Sequence, residues 1–136
     1  MARFLLPLRG MTSKTRWFFA LCVTAGAACG SSATDIGDIT VGTTSYHISR
    51  EGPEPAAGVA TQMVIKPNDG SKPDMIAGWV GLANADASTK VAAKYDPNDG
   101  DFDDDITCPS PMPVGSKFHV DITTAGVVLS GSIDFK

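Results

Sequence analysis

The chain contains 136 residues, and its charged residues divide it into two unlike segments. Residues 1–28 carry four basic and no acidic residues, whereas residues 29–136 carry seven basic and 15 acidic residues, so the net charges are +4 and −8. The acidic segment has the size of one domain and is too small for separate cofactor and substrate domains. It lacks the basic surface that nucleic acid requires. It also contains no apolar run near the ~18 residues of a membrane-spanning helix.

Residues 1–28 have the organisation of an export signal. Basic residues precede a run of 12 apolar or small residues, Trp17–Ala28. This length is typical of a signal-peptide core and too short to span a bilayer. Met11 is an alternative start, because Lys14 and Arg16 would still supply the basic region. We therefore expect residues 1–28 to be removed during export.

The end of this segment, Gly26-Ala27-Ala28-Cys29, resembles the lipobox of bacterial lipoproteins. The resemblance implies cleavage before Cys29, a diacylglycerol group on its sulfur that anchors the protein in a membrane, and a flexible tether over residues 29–38. Position 30, where an aspartate would direct retention, is a glycine. In this respect the chain is similar to lipoproteins that are sorted to an outer membrane, facing the periplasm or the exterior.

One position departs from the lipoprotein pattern, because the family has Leu, Val or Ile where this chain has Gly26. Residues 25–27 also satisfy the A-x-A rule of ordinary signal peptidase, which leaves secretion without a lipid as the alternative. Cys29 would then be free to form a disulfide with Cys108. If Cys29 carries lipid, Cys108 is the only remaining thiol, since Cys22 leaves with the signal. We expect Cys108 to be a small buried side chain.

Beyond the tether, strand-like alternation recurs and no helical spacing persists for more than two turns. Two Pro-Asn-Asp-Gly sequences, at residues 67–70 and 97–100, predict turns. The predicted strands are residues 39–41, 44–50, 59–66, 75–82, 90–95, 102–108, 118–122 and 127–135. Seven or eight short strands at this spacing predict an all-β protein, an Ig-like antiparallel β-sandwich over residues 39–136.

Two further resemblances concern architecture only. Trp79 lies in a strand that is apolar on both faces, and it resembles the core tryptophan of immunoglobulin-like domains, although the cysteine pair of that family is absent. Residues 111–122 are similar to a segment near the end of bacterial Ig-like lipoprotein modules, including YtkA-like domains. Neither resemblance implies site residues.

The most distinctive polar feature is a run of six aspartates within residues 96–105. Oxygen ligands at this density suit Ca²⁺, but the run lacks the EF-hand pattern, since Gly100 and Thr107 occupy its fifth and twelfth positions. Two interpretations remain open: a solvated hairpin whose charges protect an edge strand, or a less regular Ca²⁺ site. The predicted Ca²⁺ ligands are Asp96, Asn98, Asp99, Asp101, Asp103 and Asp105.

A copper site is a further alternative. Cys108, Met112 and His119 lie within 12 residues and carry donors that suit copper. Their order differs from that of blue-copper loops, in which the histidine falls between the cysteine and the methionine. Alternation also turns His119 away from Phe118 and Val120, and we expect its side chain to face solvent.

The sequence contains no nucleophile elbow, zinc-protease motif, phosphate-binding loop or Cys-x-x-Cys pair. Its clustered acids lie on one predicted turn rather than across a cleft, as acid–base hydrolysis would need. We therefore expect a non-catalytic lipoprotein of the cell envelope, attached to the membrane through Cys29. Its role would be binding of an unidentified protein partner or envelope structure, with metal binding as the alternative.

Overall fold

The computed structural model describes residues 32–135. The predicted signal peptide, Cys29 and the first part of the predicted tether lie outside these residues, so cleavage and lipidation stay predictions. The described part is all-β, with nine antiparallel strands in two sheets, one short 3-10 turn at Ala87–Thr89 and no α-helix. This confirms the predicted β-sandwich class.

The strands follow one another in a simple order along the chain. They are β1 (Thr34–Val41), β2 (Thr44–Glu51), β3 (Ala60–Pro67), β4 (Met75–Gly81), β5 (Val91–Ala92), β6 (Lys94–Asp96), β7 (Asp101–Thr107), β8 (Lys117–Thr124) and β9 (Val127–Ile133). The five-stranded sheet has the order β1-β2-β3-β7-β6, and the four-stranded sheet has the order β5-β4-β8-β9.

Two strands differ from the sequence prediction. β1 begins at Thr34, inside the predicted tether, because a bulge between Asp35 and Gly37 lets both Ile36 and Ile39 face the core. Residues three apart would otherwise face opposite sides of a strand, which is why alternation missed this segment. The single strand predicted over residues 90–95 is two strands in different sheets, since the chain crosses from β5 to β6 at Ala93.

The core lies between the sheets and is formed by the alternate residues that the sequence pattern assigned to it. On β7, Phe102, Asp104 and Ile106 are buried, and Cys108 continues this face just beyond the strand. A Cβ at Gly131 of β9 would lie 2.6 Å from Cγ2 of Val41, so glycine there lets β1 pack closely on β9. Apolar burial of this kind is the main stabilising term of such a domain.

The position of Trp79 corrects the sequence interpretation. Trp79 is only 2% exposed, but it lies on the outer face of the four-stranded sheet, in register with His119 of β8. The core-facing residues of β4 are Ile76, Gly78 and Val80, which pair with Ile122, Val120 and Phe118. Trp79 therefore does not occupy the place of the inter-sheet tryptophan that the resemblance implied.

The sandwich has two distinct ends. The turns at residues 42–43, 67–70, 97–100 and 125–126 lie together at one end, which we call the turn end. β1 begins at the opposite end, which we call the leader end. Within residues 32–135, no helix has the length and apolar character needed to cross a membrane.

Candidate functional site

A groove of about 490 Å³ opens between the two sheets at the leader end, and we call it the corner groove. β6 pairs with β7 only as far as Asp103, so no strand in the described part of the chain flanks the rest of β7 on that side. The residues that precede β6 belong to the four-stranded sheet as β5, and the gap left beside the end of β7 is the groove. Its apolar side chains are those of Val80, Leu82, Ala85, Val91, Pro109 and Pro113.

The polar lining of the corner groove consists of Asn84, Asp86, Thr89, Asp105 and Thr107. The hydroxyl of Thr89 donates a hydrogen bond to the Asp86 carbonyl oxygen at 2.7 Å, which fixes the short 3-10 turn on one wall. Asp86 and Asp105 are exposed and stand on segments from different sheets. The groove thus combines an apolar lining with two carboxylates and no basic residue.

A second cavity of about 230 Å³ lies on the other side of β7. It shares Asp105 and Thr107 with the corner groove, and its other lining residues include Pro53 and Gln62. Asp105 therefore stands between two concave surfaces. An elongated ligand in the groove would pass this carboxylate.

Trp79 and His119 hold the chain segment that forms one wall of the groove. The indole N–H of Trp79 donates to the Leu82 carbonyl oxygen at 2.9 Å, and Nε2 of His119 donates to the Gly81 carbonyl oxygen at 3.0 Å. The two rings stack with centroids 5.1 Å apart. His119 is 8% exposed, which corrects the prediction that it faces solvent. Burial lowers the pKa of His119, so the ring is neutral near pH 7.

Lys90 lies over the Trp79 ring on the outer face of the four-stranded sheet. Its ammonium group lies 4.5 Å from the Trp79 ring centroid and 2.6 Å from Oδ2 of Asp121, and the hydroxyl of Ser130 donates to Oδ1 of Asp121 at 2.6 Å. Burial acts to raise the pKa of Asp121, but the hydrogen bonds from Lys90 and Ser130 outweigh it and the pKa is lowered. This ion pair anchors the end of the wall segment to β8.

Asp104 is a buried carboxyl group of a different kind. It is 0% exposed, and neither of its oxygens has a hydrogen-bond partner within the described part of the chain. It faces the backbone of Gly78, where an added Cβ would overlap Oδ2 of Asp104. Burial, with a smaller contribution from Asp105, raises the pKa of Asp104 to about 7, although the nearby Gly78 backbone acts in the opposite direction.

The structure distributes the predicted Ca²⁺ ligands along one hairpin. Asp96 and Asp101 are directly opposite each other, and Oδ1 of Asp96 accepts a hydrogen bond from the Asn98 amide at 2.7 Å. Asp99 lies in the exposed turn. Asp103 follows on the outer face of β7, as alternation predicted, and Asp105 lies farther away at the leader end. Residues 32–135 include no group of three or more His, Cys, Asp or Glu placed to hold a metal ion.

Partial burial and neighbouring carboxylates both act on the ionisation of two of these residues. Partial burial and then the neighbouring Asp99 raise the pKa of Asp101. Partial burial and then Asp101 raise the pKa of Asp103. Both groups are therefore harder to ionise than an isolated aspartate. A cation near them would relieve this repulsion.

The predicted copper ligands are not brought together. Cys108 lies in the core between the sheets, 2% exposed, as expected of a small buried side chain, and burial raises the pKa of its thiol. Met112 packs against the same core. His119 faces the opposite side of the four-stranded sheet and is engaged with Trp79 and Gly81.

Sequence reasoning missed the groove residues Asn84, Asp86 and Thr89. They lie in an irregular segment with no motif, and only the crossing of the chain between sheets places them opposite β7. A signal for Asp104 did exist, since alternation placed it on the same face as Phe102 and Ile106. An aspartate on a buried face is unusual enough to single out.

No family model matches the chain, and neither a curated protein nor a solved structure matches it.

Proposed function

We propose that this chain is a small exported lipoprotein whose β-sandwich is a non-catalytic binding module with the corner groove as its ligand site. The observation that carries the proposal is the groove itself. A concave surface with an apolar lining and a few polar groups is the usual form of a binding site. In this groove the polar groups are hydroxyls, an amide and two carboxylates.

The chemistry of the groove favours a ligand that combines a cationic group with an apolar body. Asp86 and Asp105 offer two carboxylates from opposite walls, and the segment of residues 29–136 has a net charge of −8. Acidic surfaces attract cationic ligands and speed their association. The apolar body would lie along Val80, Val91 and the prolines. A short peptide rich in lysine or arginine has this character.

The position of the groove agrees with attachment through Cys29. Thr34 begins β1 at the leader end, where the groove also opens. Thr34 follows Cys29 by five positions, a reach of about 17 Å at ~3.3 Å per residue. A lipid on Cys29 would therefore hold the groove close to the membrane surface, with the turn end directed away from it.

Intact mass of the protein recovered from cells tests the export half of this proposal. We expect a mature chain that begins at Cys29 and carries a diacylglycerol modification, and a Cys29→Ser variant that lacks it. A chain that begins at Ala28, or a Cys29 without lipid, would replace the lipoprotein assignment with plain secretion.

Titration with tetralysine, followed through the indole N–H signal of Trp79, tests the groove. We expect saturable shifts, because the Trp79 indole N–H is bonded to a groove residue. Asp86→Asn and Asp105→Asn should each weaken binding by roughly two- to fivefold, as exposed ion pairs of about 0.5–1 kcal/mol would. Asp99→Asn removes the same charge at the turn end and should leave the affinity unchanged. Equal weakening by all three variants would show attraction to net charge instead of a site.

Ca²⁺ binding by the hairpin of residues 96–105 is a second candidate, favoured by the direct opposition of Asp96 and Asp101 across β6 and β7. Millimolar Ca²⁺ would raise the melting temperature over that in EDTA, because a ligand that binds only the folded state stabilises it. Mg²⁺ at the same ionic strength controls for screening. An equal effect of the two ions, or no effect, would exclude this candidate.

A further inference from the structure

The edge strand β9 differs from the other edges of the sandwich. Among residues 32–135 it pairs only with β8, so one of its sides carries backbone groups that no strand of this described part joins. Its sequence from Val127 to Ile133 contains no charged residue and no proline. Val127, Val128 and Leu129 are 59%, 54% and 47% exposed. A long, uncharged and apolar edge strand is a template for pairing with another strand.

The other three edges each carry a feature that discourages pairing. β1 has a bulge and two exposed aspartates, Asp35 and Asp38. β6 has only three residues, and two of them, Lys94 and Asp96, are charged. β5 has only two residues. Short strands, bulges and charges are the usual means of protecting a sheet edge, and β9 has none of them.

We propose that β9 pairs antiparallel with β9 of a second copy of this chain, about a two-fold axis at Ser130. Ser130 is the central residue of β9, so this register uses the whole strand. On the outer face, Val128 then lies opposite Ser132 of the other copy. On the inner face, Leu129 then lies opposite Gly131 of the other copy. The two four-stranded sheets become one sheet of eight strands.

Charge favours a second copy at this edge in spite of the acidity of the domain. No like charges meet along the paired strands, because β9 itself is uncharged. The acidic hairpin of β6 and β7 lies at the other side of the sandwich, since β9 packs beside β1 and β1 is the opposite edge of the five-stranded sheet from β6. Asp121, the acid that lies opposite Ser130 on β8, forms an ion pair with Lys90.

The outer face beside β9 adds apolar surface to the proposed contact. Thr123 of β8 pairs with Met75 on one side and with Val128 on the other, so the three side chains form a row across the sheet. Met75 is 48% exposed and Val128 is 54% exposed. Pairing of the strands would cover the Val128 end of this row.

Disulfide trapping of the full chain in intact cells tests the proposal. Directly opposed residues of an antiparallel pair have Cβ atoms about 4.5–5.5 Å apart, close enough for a disulfide after small adjustments. Ser130→Cys should therefore give a disulfide-linked dimer on a non-reducing gel. Ser132→Cys is the matched control on the same face of the same strand, because the two copies of residue 132 would be about 13 Å apart at ~3.3 Å per residue. It should give no more dimer than the unsubstituted chain.

A second pair of variants keeps the test independent of the hydrogen bond that Ser130 makes to Asp121. The double variant Val128→Cys with Ser132→Cys should form the dimer, whereas each single variant should not. Adding Val128→Lys to Ser130→Cys should abolish the dimer, since a lysine on an edge strand opposes pairing. Protection of the buried Cys108 from alkylation before denaturation shows that each variant is folded.

Three outcomes would overturn the proposal. Equal yields of dimer from Ser130→Cys and Ser132→Cys would indicate random collision. Absence of dimer from both Ser130→Cys and the double variant, with Cys108 protected, would show that β9 is unpaired. A disulfide from Ser130→Cys to a different protein would show that a foreign strand covers this edge.

Discussion

Asp104 and Asp121 lie on facing sheets of the same sandwich and show that burial alone does not determine the state of a carboxyl group. Asp121 lies on the outer face of β8, where Lys90 and Ser130 donate to it and its pKa is lowered. Asp104 lies on the inner face of β7, where its oxygens have no hydrogen-bond partner among residues 32–135 and its pKa is raised to about 7. The outer carboxylate stabilises the fold as an anion, whereas the inner one is tolerated mainly as a neutral acid.

The largest expected effect concerns Asp104 and pH. Its pKa is about 7 in the folded state and near 3.8 in the unfolded chain. Between these values the unfolded state is ionised while the folded state keeps its proton, so the free energy of unfolding falls as pH rises. The difference corresponds to about 4 kcal/mol between pH 4 and pH 7, at about 1.4 kcal/mol per pKa unit. Above pH 7 this contribution no longer changes.

Urea unfolding of the wild type and Asp104→Asn from pH 4 to pH 8 measures this contribution. The asparagine variant should lose most of the pH dependence and should be more stable than the wild type at pH 8. Asp103→Asn, on the other face of the same strand, should retain the slope. A wild-type slope that survives Asp104→Asn would show that other groups cause it.

A smaller effect is expected from Gly78→Ala. The new methyl group would overlap Oδ2 of Asp104 and lie 3.1 Å from Cε2 of Phe118. Overpacking of a core usually costs about 1–3 kcal/mol. If the overlap with Asp104 dominates, the cost should shrink in an Asp104→Ala background, and a double-mutant cycle of unfolding free energies measures the difference. If the two costs in unfolding free energy are additive, the steric overlap of the new methyl group is with Phe118 instead.

The sequence predicted the faces of the strands better than it predicted what lies against each face. Alternation correctly placed Phe102, Ile106 and Cys108 inside and Asp101 and Asp103 outside. It also turned His119 away from the core but could not show that Trp79 would cover it. A period of two residues identifies the side of a sheet on which a residue lies, whereas its exposure depends on distant segments of the chain.

The corner groove could not be predicted for a related reason. It depends on where β5 ends and β6 begins, whereas the sequence pattern predicts one continuous alternating strand over residues 90–95. Only pairing with different partners, β4 for Ala92 and β7 for Lys94, separates the two strands. Such pairing joins residues far apart in sequence, which a local pattern does not encode.

The Asp121 ion pair should contribute to the pH dependence of the free energy of unfolding with a sign opposite to that of Asp104. The pKa of Asp121 is lowered, so its contribution is present above the unfolded value of 3.8 and is lost as pH falls through the folded value. At pH 7, Lys90→Met should lower the free energy of unfolding by roughly 1 kcal/mol, and this loss should vanish in strong acid. Lys117→Met removes a more exposed pair with Asp134 and serves as the control, with a smaller loss.

The smallest expected effect lies in the acidic hairpin, where Asp96 and Asp101 face each other across β6 and β7. Like charges that are directly opposed in a sheet are destabilising, by up to about 1 kcal/mol. Asp101→Asn should therefore raise the free energy of unfolding by a few tenths of a kcal/mol at pH 7. Because the pKa of Asp101 is raised, the gain should appear only as pH rises above the unfolded value.

Salt provides the decisive comparison for this prediction. Repulsion between exposed charges is screened at high ionic strength, so the gain from Asp101→Asn should shrink in 1 M NaCl, where the Debye length is about 3 Å. Asp105→Asn removes the same charge from the same face of β7, but Asp105 lies opposite Gln62 and not opposite an acid. It should give a smaller gain at low salt. Equal gains from the two variants would assign the effect to the net charge of the domain, and a gain that persists in high salt would assign it to the partial burial of Asp101.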